Sequence, residues 1–233
     1  MRAIILAGGK GTRLAPYTSV LPKPLMPVGD MPVLEIVIRQ LVKYGFERVT
    51  IAVNHQAQII QAFFEDGAKW NIKIDYSLET VPLSTMGPLK LIKDLPENFL
   101  VMNGDVLTDV DFAWFYGKHI KNGSIFTILS NQRILKSEYG VLDIDVDGTL
   151  KGFREKPEFQ FDVSTGIYMA NRTILKFIPD HVHFGFDNLM ISLMKDKNPA
   201  TVERYSGYWL DIGRPDDFAQ ANAEYHTKIK SIF

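Results

Sequence analysis

Near the amino terminus, Ala7-Gly8-Gly9-Lys10-Gly11-Thr12-Arg13-Leu14 and the nearby Pro22-Lys23-Pro24-Leu25 combine glycines and cations in a way that suits phosphate chemistry. The run follows an apolar stretch, Ala3-Ile4-Ile5-Leu6, that reads as a buried strand. A strand ending in a glycine-rich turn offers free backbone N–H groups to phosphate oxygens. Glycines let the main chain approach a ligand with no Cβ in the way. Lys10, Arg13 and Lys23 supply cations that favour an anionic partner. The spacing is not that of a Walker loop, and Leu14 stands where a dinucleotide fingerprint needs its third glycine. A bare glycine-rich turn is also what an ordinary strand-to-loop connection looks like. Arg13 and the Pro-Lys-Pro segment tip the balance towards a loop that holds a nucleoside triphosphate.

Carboxylates at two later strand ends extend this chemistry. Asp105 closes the apolar run Phe99–Met102 through Asn103-Gly104. A carboxylate there is a natural Mg²⁺ ligand, because Mg²⁺ takes few protein oxygens and shares the rest with phosphate and water. Asp211, in Trp209-Leu210-Asp211-Ile212-Gly213, is placed to meet the same ion; its competing role is to cap the helix opened by Pro215. In Glu155-Lys156-Pro157, Lys156 suits the phosphate of a second substrate and Glu155 its hydroxyls, although a solvated surface pair has the same appearance. Asp109-Val110-Asp111 has the D-x-D form of a metal-dependent glycosyltransferase, but it precedes a helix, where capping is the simpler role. His55, His181 and His183 read as structural, as do Trp70, Trp114 and Phe63-Phe64.

The elements around these residues alternate. Strands are expected at 2–7, 48–53, 72–78 and 99–102, with helices at 33–44 and 56–64, which implies a doubly wound, largely parallel sheet. Ligands bind such sheets beyond the carboxyl ends of the strands, where the glycine turn falls. Leu83–Leu95 reads as a turn entering a helix capped by Ser84 or Thr85, and 111–121 as a helix. Further strands are expected at 124–130 and 166–170, and a hairpin at 139–153 around Asp145-Val146-Asp147-Gly148. Helices are expected at 171–178, at 187–194 and from Pro215 to about Lys230, with a strand at 208–212 and a frayed end at 228–233.

The chain has 233 residues and is 46% hydrophobic, enough for a sizeable core. Lys and Arg number 26 against 27 Asp and Glu, a formal charge of −1, which argues against nucleic-acid or membrane-surface binding. Absence of cysteine excludes a disulfide framework and a thiolate nucleophile. The chain shows no signal-peptide pattern and no spanning apolar run, so a cytoplasmic protein is expected.

Taken together, these motifs resemble those of the sugar-1-phosphate nucleotidyltransferases, or nucleotide-sugar pyrophosphorylases. The resemblance rests on Gly8–Leu14 with Pro22–Leu25, on Asn103-Gly104-Asp105, and on Glu155-Lys156-Pro157, Ser164-Thr165-Gly166-Ile167-Tyr168 and Trp209–Gly213, in the family's order. It implies a Rossmann-like α/β fold, a mixed and mostly parallel sheet flanked by helices with a small β-rich sugar-binding lobe. A single domain over 1–233 is expected, with a nucleotide-binding half at 1–110 and a sugar-phosphate-binding half at 111–233. The implied reaction is NTP + sugar 1-phosphate → NDP-sugar + pyrophosphate, with Mg²⁺ on Asp105 and Asp211. Arg13, Lys23 and Asp105 would be catalytic. Leu6, Ala7, Gly8, Gly9, Gly11, Thr12, Glu79, Ser84 and Thr85 would bind the nucleotide. Asn103, Gly140, Glu155, Lys156, Thr165 and Gly166 would bind the sugar phosphate.

Within the family, Glu79–Leu89 and Gly207–Phe218 are most similar to GDP-mannose pyrophosphorylases, which favours GTP and a mannose- or heptose-like sugar. Ser84 stands where glycine is typical and Met86 where alanine is, so thymidylyl, uridylyl and cytidylyl transfer stay open. The chain stops one helix beyond Asp211, which implies a member without the C-terminal β-helix of the longer mannose enzymes. A homo-oligomer is compatible with the resemblance. The rivals from other classes are a glycosyltransferase and a catalytically silent nucleotide-sugar sensor; Arg13, Lys23, Asp105 and Asp211 are all present, against the latter.

Overall fold

Alternation along the strands sets the two faces of the central sheet. In β1 (Arg2–Leu6), Ala3 and Ile5 point into one apolar cluster and Ile4 into another. The remaining strands are β2 (Pro27–Val28), β3 (Met31–Pro32), β4 (Arg48–Val53), β5 (Lys73–Leu78), β6 (Asn98–Asn103), β7 (Val106–Thr108), β8 (Phe126–Lys136), β9 (Val141–Ile144), β10 (Leu150–Arg154), β11 (Glu158–Asn171), β12 (Thr201–Arg204) and β13 (Trp209–Asp211). The α-helices are α1 (Val33–Lys43), α2 (Ala57–Phe64), α3 (Phe112–Asn122), α4 (Phe186–Lys195) and α5 (Pro215–Glu224) in this computed structural model, which describes residues 1–233.

A seven-stranded sheet runs in the order β12-β8-β11-β6-β1-β4-β5. Only β11 runs antiparallel to its neighbours; β6, β1, β4 and β5 are parallel, as are β8 and β12. The chain winds from β1 out to β5 and then returns to the other side of β1 as β6. That reversal makes the β1/β6 boundary the topological switch point, where a crevice opens at the carboxyl ends.

Helices cover both faces. On one face α1 buries Leu34, Val37, Ile38 and Leu41 against the strands, together with α2 and α3. Each such side chain contributes roughly 1.5–3 kcal/mol. On the other face α4 inserts Leu189 and Leu193 beside Phe99 and Val101. Asp111 caps α3, its carboxylate accepting from the Trp114 N–H at 2.9 Å, while Asp109 accepts from the Tyr205 hydroxyl. Both D-x-D carboxylates are thus engaged away from the crevice, as the capping reading expects.

β8 and β11 continue past the sheet as a long antiparallel arm, and the β9–β10 hairpin forms the rest of this β-rich lobe. Several expectations need correction. The 166–170 strand is the last part of β11, because its alternation continues back to Glu158 along β8. Leu83–Leu95 forms only a 3₁₀ turn at Gly87–Leu91, and neither Ser84 nor Thr85 caps it. Thr85 Oγ1 accepts the Phe186 N–H instead, and Ser84 takes a positive φ of 64°. Residues 172–177 are likewise 3₁₀, with Asn171 as their cap. α5 ends at Glu224 rather than near Lys230, and β12 went unanticipated. The final run does not fray: Ile229 and Ile232 are buried against α1 and α5, and Lys43 Nζ donates to the Ile232 carbonyl at 2.9 Å.

Candidate active site

Four neighbouring parallel strands end at one crevice. β1 delivers Leu6 and the glycine turn, β4 delivers Asn54, β5 delivers Glu79, and β6 delivers Asn103-Gly104-Asp105. Together with the 82–88 segment, Lys23, Gly213 and His183 they line a cavity of about 530 Å³. Every expected nucleotide-binding residue lies on its wall: Leu6, Ala7, Gly8, Gly9, Gly11, Thr12, Arg13, Glu79, Ser84 and Thr85. At Gly8 a Cβ would stand 2.7 Å from Glu79 Oε1, so a side chain there would displace the Glu79 carboxylate.

The two ends of the cavity differ in chemistry. One end is electrostatic. The Lys23 ammonium contacts Asp105 Oδ2, both side chains largely shielded from solvent. Asp211 sits beside Asp105 because β13 pairs with β7, placing Asp211 opposite Val106, and the Ile212 N–H donates to the Asp105 carbonyl at 3.0 Å. Burial pushes the Asp211 carboxyl up from the ordinary carboxylate range; the Asp105 charge adds to the rise, and Lys23 and Arg13 oppose it. The exposed Arg13 guanidinium lies against Gly213, where a Cβ would be 3.4 Å from Nη2.

The other end is quieter. Burial raises the Glu79 carboxyl, opposed by hydrogen bonds from the Leu83 N–H, at 3.1 Å, and from the Asn54 side chain. Pro82, Ser84, Thr85, Pro88 and His183 complete that end.

The expected sugar-phosphate residues divide. Asn103 lines the cavity. Thr165 and Gly166 stand directly behind it: Gly166 has φ 77° and a Cβ there would meet Asn103 Nδ2 at 2.6 Å. Thr165 Oγ1 donates to the Leu129 carbonyl at 2.7 Å, and its own carbonyl accepts from Trp209 Nε1 at 2.9 Å. Gly140, Glu155 and Lys156 are exposed on the arm, outside the cavity wall. They cluster, since a Cβ at Gly140 would lie 2.5 Å from the Phe153 ring and 3.2 Å from Glu155 Oε2.

Asn54 and His183 were not anticipated. Asn54 has a sequence signal, because it is the first residue after β4 at the same sheet edge as Glu79. His183 has none, since a distant segment carries it in.

Doubly wound sheets of this layout take phosphorylated ligands at the switch-point crevice. The chain belongs to the nucleotidyl transferase family, whose model matches residues 2–228. Two curated relatives illustrate the range. The UTP–glucose-1-phosphate uridylyltransferase of Synechocystis sp. is 32% identical over 241 residues, covering 95% of this chain and 62% of that protein. The mannose-1-phosphate guanylyltransferase catalytic subunit beta of Dictyostelium discoideum is 34% identical over 238 residues, covering 99% and 66%. The chain thus spans just under two thirds of the length of these relatives. Among solved structures, HddC from Yersinia pseudotuberculosis complexed with GMP-PN superposes with a TM-score of 0.74 at 26% identity, covering 96% of this chain and 99% of that one. No helix is long and apolar enough to cross a membrane.

The family is generally dependent on a divalent metal ion. The residues here fit one. Asp105 Oδ1 is buried with no hydrogen-bond partner, and the second carboxylate stands beside it. Hard oxygen donors in this small number suit a small divalent cation that fills its remaining positions with water and phosphate.

Burying the Asp211 carboxylate, and doing so beside Asp105, has a cost in the ligand-free protein. Because the Asp211 pKa is raised on folding, its ionised form opposes folding at neutral pH, and that opposition fades as pH falls through the folded pKa. Asp211→Asn is therefore expected to stabilise the ligand-free protein at pH 7 by about 1 kcal/mol, with the gain shrinking towards acid. Urea unfolding at several pH values checks this. A variant less stable than wild type at pH 7 would contradict it.

Proposed function

We propose that this chain transfers a nucleotidyl group from an NTP to a sugar 1-phosphate, releasing pyrophosphate, with GTP and a mannose- or heptose-like sugar favoured. The observation that carries the proposal is the convergence of the glycine turn, Arg13, Lys23 and Asp105 on the wall of a single cavity, with Asp211 beside Asp105 just behind that wall. Relatives named as guanylyl- and uridylyltransferases of sugar 1-phosphates support the reaction class, and the GMP-PN complex of HddC supports a guanine nucleotide.

In this mechanism the backbone of Leu6–Thr12 receives the triphosphate, with the glycines admitting it close to the main chain. Arg13 binds the leaving β- and γ-phosphates and stabilises the charge that builds on them. Lys23 leaves Asp105 to bridge the α-phosphate and the incoming sugar phosphate. Asp105 and Asp211 would hold Mg²⁺, which would supply charge neutralisation to the phosphates. Gly140, Glu155 and Lys156 on the arm take the sugar hydroxyls and its phosphate, with the Thr165-Gly166 turn and Asn103 beneath them. The sugar phosphate oxygen attacks the α-phosphorus in line, and pyrophosphate departs opposite. Transfer of this kind needs positioning and charge neutralisation, not a protein nucleophile, which agrees with a chain free of cysteine.

The test is a matrix of NTPs against sugar 1-phosphates, read as pyrophosphate. The expected result is release that needs both substrates, strongest with GTP. Pyrophosphate from no pair, or sugar transfer from an NDP-sugar to an acceptor, would overturn the proposal.

A further inference from the structure

We propose that His183 reads the nucleobase and sets the NTP selectivity of the site, an inference that rests on the function proposed above. The triphosphate belongs at the end of the cavity that holds Arg13, Lys23 and Asp105, with Asp211 beside Asp105. The nucleoside must then lie towards Glu79, Pro82, Ser84, Thr85 and Pro88, the end where His183 stands. His183 is the one residue of that end that comes from the second half of the chain.

Its position is built. The residues that follow His183 are stitched to the 83–87 segment by hydrogen bonds. The Phe184 N–H donates to the Leu83 carbonyl at 3.0 Å, and the Phe184 carbonyl accepts from the Met86 and Gly87 N–H groups at 3.0 and 2.9 Å. The Phe186 N–H donates to Thr85 Oγ1 at 2.8 Å. Ser84 holds its positive φ of 64° within this stitch, a conformation unfavourable for a residue with a side chain. Gly185 continues it, since a Cβ there would come 3.2 Å from Ser84 Oγ. The two segments therefore form one rim, with Phe186 at the start of α4 as its anchor.

The side chain suits base reading. His183 is exposed and lines the cavity, so it is not a core packing group. An imidazole can donate at one nitrogen and accept at the other, whereas the Glu79 carboxylate across the same end accepts only. That combination complements a base edge that presents both an acceptor and N–H donors, the pattern of a guanine. Loss of a hydrogen bond that one base makes and its competitors do not appears as lost selectivity.

The experiment measures kcat/KM for GTP, UTP, dTTP and CTP with a fixed sugar 1-phosphate for wild type, His183→Ala and His183→Gln. His183→Ala is expected to raise KM for the preferred NTP about tenfold, the worth of one good hydrogen bond, and to compress selectivity over the next NTP by a similar factor. The KM for the sugar 1-phosphate and the melting temperature should stay near wild type, and His183→Gln should recover part of the selectivity. An unchanged selectivity ratio, or an equal KM increase for every NTP, would overturn the inference. Wild-type protein that turns over no pair would count against the proposed reaction alone. NTP binding by titration calorimetry to wild type and His183→Ala then tests the inference separately, with the same selectivity criterion.

Discussion

Asp105→Asn is expected to lower pyrophosphate release by about 10²–10³, with little change in the fold. Asparagine keeps the shape of the side chain and leaves an amide oxygen for the Lys23 ammonium to meet. What it removes is the anion whose Oδ1 is buried and unpartnered and whose charge joins that of Asp211. On the proposed mechanism, the pair that would hold the metal ion becomes a single carboxylate with a neutral neighbour. Replacing an ion pair by a neutral hydrogen bond shifts stability by about 1 kcal/mol, which for a chain of this size moves the melting temperature by about 2–4 °C. Steady-state assays across a range of Mg²⁺ concentrations, paired with thermal melts, check both halves. Turnover close to wild type in a folded variant would remove Asp105 from the reaction.

Arg13→Ala is expected to show a loss of the same order, about 10²–10³ in kcat, for a different reason. The Arg13 side chain is exposed and lies against Gly213, a residue of the strand-to-helix turn that follows Asp211. Nothing in the core depends on it, so stability should stay within about 0.5 kcal/mol of wild type. On the proposed mechanism, the lost function is charge placed on the departing phosphates. Arg13→Lys should recover only part of the rate, because an ammonium cannot reproduce the bidentate geometry of the guanidinium on phosphate. Single-turnover measurements with saturating NTP separate this from a binding defect. A drop confined to KM, with kcat intact, would assign Arg13 to ground-state binding instead.

The residues that place the site were largely readable because the geometry of parallel sheets makes them so. A strand such as Ala3–Leu6 that ends in glycine, and another that ends in Asn103-Gly104-Asp105, must deposit these residues at one edge if the strands are parallel neighbours, and they are. The same logic finds Asn54 once β4 is recognised as the next strand. Periodicity could not reveal the 82–88 rim. Pro88 and the positive φ of Ser84 break the helical pattern that Leu83–Leu95 suggests, and Thr85 caps across the structure to Phe186 rather than along the chain. Long-range pairing of that kind leaves no local trace, which is why His183 looked structural. The closing residues misled for a similar reason: their charges resemble a solvated end, while Ile229 and Ile232 are spaced to reach the cluster between α1 and α5. The β9–β10 hairpin was visible in the sequence but the arm was not: Glu158–Ser164 of β11 alternates, while its partner, the exposed outer half of β8, carries the polar run Asn131-Gln132-Arg133 and shows no strand period.

The stereochemical course at the α-phosphorus tests direct transfer between two bound substrates most sharply. An NTP carrying sulfur in one defined configuration on the α-phosphorus is converted with the sugar 1-phosphate, and the configuration of the NDP-sugar product is read by phosphorus NMR. A single in-line attack with no protein nucleophile predicts inversion. Retention would require two displacements through a nucleotidyl–protein intermediate, and would contradict the roles assigned here to Arg13, Lys23, Asp105 and Asp211.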